Sequence, residues 1–224
     1  MKKIFIASAL SLATFASAQV DFSSTRFGVT VGGNYSRVRH AHNPSGPLWG
    51  FNGGAMALIP VGSENQFFIQ PEVKYHGAGE TGQDKEAKGL PGYDAKYANH
   101  YISVPIYFKG YFSESESEAF GMIGPKMNFL VGQTVTNPNP SRPYYGTEDV
   151  AVFPGVNGKA SGFNFAISGG VGYSYKREIE ISLVYDLGLS NTYKNLMREP
   201  GSDPSISKKK SEQVVSLNLT YIFK

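Results

Sequence analysis

The chain has 224 residues, 41% hydrophobic and only 17% charged, with 26 glycines, 14 tyrosines, 15 phenylalanines and no cysteine. A charged fraction below the roughly 25% of ordinary soluble domains, joined to this aromatic and glycine content, argues against disorder, a coiled coil and a typical cytosolic enzyme. The absence of cysteine excludes disulfides, thiolate metal sites and a cysteine nucleophile, and a formal net charge of +3 gives no sign of nucleic-acid binding.

Lys2 and Lys3 open the chain, an apolar stretch runs from Ile4 to Phe15, and the small residues Ala16-Ser17-Ala18 follow. This order predicts a secretory signal peptide over residues 1–18, cleaved to leave Gln19 first. The apolar stretch is too short to span a bilayer as a helix. Without Lys2 and Lys3 the net charge falls to +1. No later stretch is apolar enough for a transmembrane helix, so a membrane-embedded mature chain, residues 19–224, would have to be a closed barrel.

Eight segments of period-two alternation follow. The first sets Phe27, Val29, Val31 and Tyr35 on one face, and the second Trp49, Phe51, Ala55, Ala57 and Ile59. The third opposes Phe67, Ile69, Val73 and Tyr75 to Gln70, Glu72, Lys74 and His76. The fourth opposes Ile102, Val104, Ile106, Phe108 and Phe112 to Tyr101, Ser103, Tyr107 and Lys109. The fifth, less regular, sets Ile123, Met127, Phe129 and Val131 against Gly124, Lys126 and Asn128. In the sixth, Phe163, Phe165, Ile167, Val171, Tyr173 and Tyr175 alternate with small residues. In the seventh, Ile179, Ile181, Leu183, Tyr185, Leu187 and Leu189 oppose Glu180, Ser182 and Asp186. The eighth runs through Val215, Leu217, Leu219, Tyr221 and Phe223. Connections alternate too: Val38–Leu48, Gly77–Ala98, Gly132–Ala160 and Asn191–Ser211 are long, whereas Val61–Asn65, Ser113–Glu118 and Lys176–Glu178 are short. An even strand number with short turns on one side and long loops on the other is the pattern of outer-membrane barrels, and it puts both termini in the periplasm. The expected fold is therefore all-β: an eight-stranded, antiparallel, up-and-down transmembrane barrel.

A soluble lipocalin-like carrier would use the same alternation with its apolar face inward. Three features favour the apolar face outward. The polar faces are Gly, Ser, Asn and Thr rather than the Lys and Glu of a soluble surface. Eight strands leave an interior that side chains fill. Aromatics gather at strand ends: Phe27, Phe67, Phe112, Tyr175, Tyr221 and Phe223 towards the short turns, and Tyr35, Trp49 and Tyr75 towards the long connections. They suit the two interfacial girdles.

Glu72, Lys74, Lys109, Lys126, Glu180 and Asp186 fall on polar faces and are expected to form a lumen network, since isolated buried charge is costly. The expected pairs are Glu72 with Lys126 or Lys109, and Glu180 or Asp186 with a base across the barrel. Such a lumen would be a packed plug rather than a pore. His40 and His42 lack a nearby carboxylate, and no metal site or cofactor is expected. His100 and Ser103 point to opposite strand faces and cannot form a dyad. With no G-x-S-x-G elbow, no enzyme is expected; a barrel-borne lipid hydrolase is the alternative. Arg142, Tyr144 and Tyr145 lie in a long connection and are of types favoured at recognition sites. Lys208-Lys209-Lys210 suits contact with anionic outer-leaflet lipid. The acidic Ser113–Glu118 turn is expected to face the periplasm. The expected partners are outer-membrane lipid and an envelope protein, with the barrel a monomer.

Several segments resemble a known family. Gln70-Pro71-Glu72-Val73-Lys74-Tyr75, ending in His76-Gly77, resembles the "PE-x-x-Y-x-x-G" strand of PorT-like outer-membrane β-barrel proteins. Tyr101-Ile102-Ser103-Val104-Pro105-Ile106 resembles that family's "YLEIPLL" strand, with Ser103 where an acidic residue often stands. Phe120-Gly121-Met122-Ile123-Gly124-Pro125 resembles its "GP" strand, and Tyr185-Asp186-Leu187-Gly188-Leu189-Ser190-Asn191 its "Y-x-x-GLTNI" strand end. Val215 to Phe223 resembles its closing strand, although Lys224 follows the terminal aromatic. The resemblance implies an eight-stranded barrel in a Gram-negative outer membrane. Its members mostly lack an assigned activity, so the resemblance transfers no role; the expected function, read from the long loops, is structural or binding, or accessory to a larger envelope assembly.

Overall fold

Alternation becomes a barrel when one face of each strand is too apolar for water and the other too polar for lipid, and ring closure pairs every strand on both edges. The computed structural model describes residues 23–41, 46–62, 65–81, 95–138, 146–151, 154–196 and 209–223. Eight strands follow in order: β1 (Arg26–Val38), β2 (Gly46–Val61), β3 (Phe67–Thr81), β4 (Lys96–Tyr111), β5 (Glu118–Thr136), β6 (Phe163–Tyr175), β7 (Ile179–Gly188) and β8 (Glu212–Ile222). Each pairs antiparallel with its sequence neighbour, and β1 closes on β8 from Gly28 opposite Ile222 to Val38 opposite Glu212.

The apolar face points outward. Trp49 is 75% exposed and Phe27 61%, while Lys109 is 0% exposed. That orientation overturns the soluble-carrier alternative, whose aromatic face would line the interior.

The long connections shrink on the side where ladders outlast the apolar pattern. β3 continues to Thr81 and β5 to Thr136, past the expected ends near Gly77 and Gly132, and β4 begins at Lys96. Past the outer girdle no lipid demands large apolar outward residues, so hydrogen-bond pairing persists while the periodic signal fades. Gly79 contributes: its φ of +143° suits glycine, and a Cβ there would collide with the Tyr97 carbonyl. Register shifts between Pro47 and Asn52, and between His100 and Tyr101, mark two irregular places in the ladders.

The interior has three layers. Near the short turns, Met56, Leu58, Phe68, Tyr107, Tyr111, Phe120, Met122, Val184 and Ile222 form an apolar floor. Near the long connections, Val38, Ala95, Tyr97, Ala160, Tyr193 and Leu196 form a cap. Polar and charged side chains fill the middle. The expectation of a lumen filled by polar side chains is corrected to this extent: a narrow barrel brings Met56, Phe120 and Met122 inward at the short-turn end.

Candidate functional site

The middle layer is built from inward positions of all eight strands and contains Glu72, Lys74, Lys126 and Asp186, while Lys109 and Glu180 lie at the level of the floor among Phe68, Tyr111, Phe120 and Met122. Lys126 on β5 meets Asp186 on β7 at 2.6 Å, and the Ser168 hydroxyl donates to the other Asp186 oxygen at 2.5 Å. Lys109 on β4 meets Glu180 on β7 at 2.5 Å, and the Tyr111 hydroxyl donates to Glu180 at 2.6 Å. The Lys109 ammonium also sits 4.0 Å from the centroid of the Phe120 ring, a cation–π contact.

Glu72 pairs differently from the expectation. Its partner is Lys74, 2.9 Å away on the same strand, with the Gln70 amide donating at 2.8 Å. Residues i and i+2 of a strand share a face, and Lys109 and Lys126 are taken by carboxylates across the barrel.

Neutral groups complete the layer. Asn34 Oδ1 accepts from Asn52 at 2.7 Å and from Ser216 at 2.9 Å, while its Nδ2 donates to the Gly77 carbonyl at 2.9 Å. That fixes the amide orientation. His76 Nδ1 lies 3.2 Å from Asn34 Nδ2 and 3.3 Å from Lys126 Nζ. Both neighbours can only donate, so Nδ1 is the acceptor in these contacts, and Lys126 Nζ also lies 3.5 Å from Nε2. Among the described residues one void of about 10 Å³ lies beside Asp186, Asn164 and Glu212, and another of about 10 Å³ beside Gln70, Glu72 and Tyr107. Each has room for roughly one water. Gln70 Oε1 and Asn164 Oδ1, both buried without a protein partner, border them.

Below the floor, the β6–β7 hairpin turns through Lys176 and Arg177 at φ 53° and 52°, the positive-φ pair of a type I′ turn. Arg177 reaches Glu118 at 2.6 Å and the Asn65 carbonyl at 2.8 Å, and Arg26 donates to the Arg177 carbonyl at 3.1 Å. Glu118 is thus buried in a clasp joining the short turns, not solvated with Glu114 and Glu116 as its acidic turn suggested. Sequence reading also passed over His76, Asn34 and Asn52 as network members. Their inward alternation was visible, but their partners come from distant strands.

On the outer wall, Phe27, Phe67, Phe112, Tyr175, Tyr221 and Phe223 are exposed at the short-turn end, and Tyr35 and Trp49 towards the other. Tyr75 is half-buried against Phe51 and His100, its hydroxyl 2.6 Å from His100 Nδ1. Arg142, Tyr144 and Tyr145 lie outside the described residues, as do His42, Lys208 and residues 1–18. Among the described residues no cluster of three or more His, Cys, Asp or Glu is placed to hold a metal.

The family model for the outer membrane protein beta-barrel domain matches residues 16–194 of the chain. No curated protein matches. Among solved structures, the attachment invasion locus protein Ail of Yersinia pestis is 11% identical, with 88% of this chain and 98% of that chain covered and a TM-score of 0.42. Neisserial surface protein A is 12% identical over 88% and 97%, at 0.44. OprG from Pseudomonas aeruginosa is 11% identical over 89% and 94%, at 0.35.

Proposed function

The chain belongs to the outer membrane protein beta-barrel domain family, and from that premise we propose that it is a non-enzymatic, monomeric barrel whose working surface is its long extracellular connections. It resides in the outer membrane of a Gram-negative bacterium. In this reading residues 1–18 are the export signal, the PorT-like resemblance describes its subfamily, and the connection carrying Arg142, Tyr144 and Tyr145 engages a ligand or envelope partner. The observation that carries the reading is the filled lumen: floor, ion-paired middle and cap lie in series, so solute transport is a poor use of this barrel and binding at the rim a good one. The lumen network is then structural, holding eight strands in one register.

Two measurements test this. Purified barrel in planar bilayers should show no large, stable openings; such openings would overturn the plug. A photocrosslinker in place of Tyr144 should capture a discrete partner in intact cells, while one in place of Ser115 should not. Equal capture at both positions, or at neither, would sink the loop-recognition reading. The intact mass of the membrane-extracted protein should begin at Gln19.

A further inference from the structure

Glu212, at the start of β8, is a buried carboxylate that makes no ion pair among the described residues. Its side-chain partners are neutral: the Tyr101 hydroxyl, donating at 3.4 Å, and the Asn99 amide. The bases of this interior are engaged elsewhere. Lys126 meets Asp186 and Lys74 meets Glu72. Lys210, buried two residues before Glu212, has an interaction of its own and no ion pair with that carboxylate. Glu80, also buried at this end, and the exposed Glu148 and Asp149 add negative charge rather than relieve it. Glu212 borders the void of about 10 Å³ that Asp186, Asn164, Asn128, Ser190 and Thr192 also line. Asn164 is 4% exposed. Its Nδ2 donates to the Ser161 carbonyl at 3.2 Å, which fixes the amide orientation and leaves Oδ1 a buried acceptor without a donor. Asp186 keeps spare lone pairs beyond its contacts with Lys126 and Ser168. Two carboxylates and an orphaned amide oxygen therefore share one void, with the Lys126 ammonium answering only the first of the two charges.

A buried ionised carboxylate without a counter-charge is costly, and a buried acceptor left without a donor adds to the cost. One small cation relieves both, because it supplies the missing charge and takes oxygen ligands from either side of the void. The void selects the class of ion. All three donors are oxygens, which suit a hard cation. The space holds roughly one water, whereas magnesium keeps several waters of its own and calcium takes about six to eight oxygens. Lys126 beside the void opposes a double charge further. We propose that Glu212, Asp186 and Asn164 Oδ1 bind a monovalent alkali cation, sodium, in the upper lumen. The ion ties β6, β7 and β8 together beneath the cap. The site lies inside the barrel and stands independently of any partner bound by the loops.

The test follows urea unfolding of the purified barrel in detergent micelles by heat-modifiable migration, at mildly alkaline pH and constant ionic strength, with sodium exchanged stepwise for choline. One bound ion per barrel lowers the unfolding equilibrium constant about tenfold for each tenfold rise of sodium above its dissociation constant. Choline, too large for the void, should give no such fall. E212Q, which keeps the shape and removes the charge, should lose the sodium dependence. N164A, which removes the orphaned oxygen and keeps both carboxylates, should shift the dependence to higher sodium. E116Q, at the exposed short-turn end, should follow the wild type. If E212Q yields no folded band, the wild-type contrast between sodium and choline and the N164A shift still decide. Equal stability of the wild type in sodium and in choline overturns the site and assigns the void to water or the carboxylate to a proton. An undiminished sodium dependence in E212Q or in N164A overturns it as well, as does a loss in E116Q equal to that in E212Q.

Discussion

Lys109 and Glu180 show how single residues govern this interior. Both are essentially inaccessible, at 0% and 2% exposure, and each has further support, Tyr111 on the carboxylate and the Phe120 ring under the ammonium. Desolvating two charges costs much of what their attraction returns, so the pair adds little net stability while either partner alone is costly. E180Q should therefore destabilise the barrel by about 3–5 kcal/mol, by leaving the Lys109 charge uncompensated. K109M/E180L, which removes both charges at similar volume, should lie within about 1 kcal/mol of wild type or above it. Urea unfolding in detergent micelles, followed by the gel shift between folded and unfolded forms, reads both. A double variant as unstable as the single would show that the pair contributes more than charge balance.

At the scale of strands, what was legible followed the membrane. β6 and β7 could be read almost residue by residue, because lipid enforces large outward residues and the narrow lumen enforces small or paired inward ones. β5 was harder. Gly124-Pro125 interrupts it, Leu130 is half-buried beside the register shift at His100 and Tyr101, and its upper half lies past the apolar band. The six charged lumen residues were recoverable from alternation, but the Glu72 partner was not, because alternation gives a face and not a height. The Arg177 clasp was equally hidden: it depends on a tight turn that brings together side chains distant in sequence. Gly124 makes an element-scale prediction. A Cβ at this position would overlap the backbone carbonyl of Ile106 on β4, and backbone in a paired ladder cannot step aside. G124V should force β4 and β5 apart and lower the yield of heat-modifiable barrel on refolding into micelles several-fold. The same substitution at Gly33, where nothing lies within 4 Å, should leave the yield near that of wild type. Equal yields would mean that the β4–β5 contact is looser than its register implies.

For the whole molecule, the two ends differ in a way that fixes an orientation. The end with connections 62–66, 112–117 and 176–178 is tied together by Arg177, Glu118, Arg26 and Asn65, and it exposes Glu114 and Glu116. The end with connections 39–45, 82–95, 137–162 and 189–211 exposes Arg37, Arg39 and Lys209. Short turns in barrels of this class face the periplasm, so the end with the long connections is expected to face out. A biotin-acceptor tag inserted in the β3–β4 connection should be labelled on intact cells by a reagent that does not cross the outer membrane. The same tag at Ser115 should be labelled only after the outer membrane is permeabilised. The reverse pattern would turn the barrel over, removing the rim from the cell surface together with the binding role assigned to it.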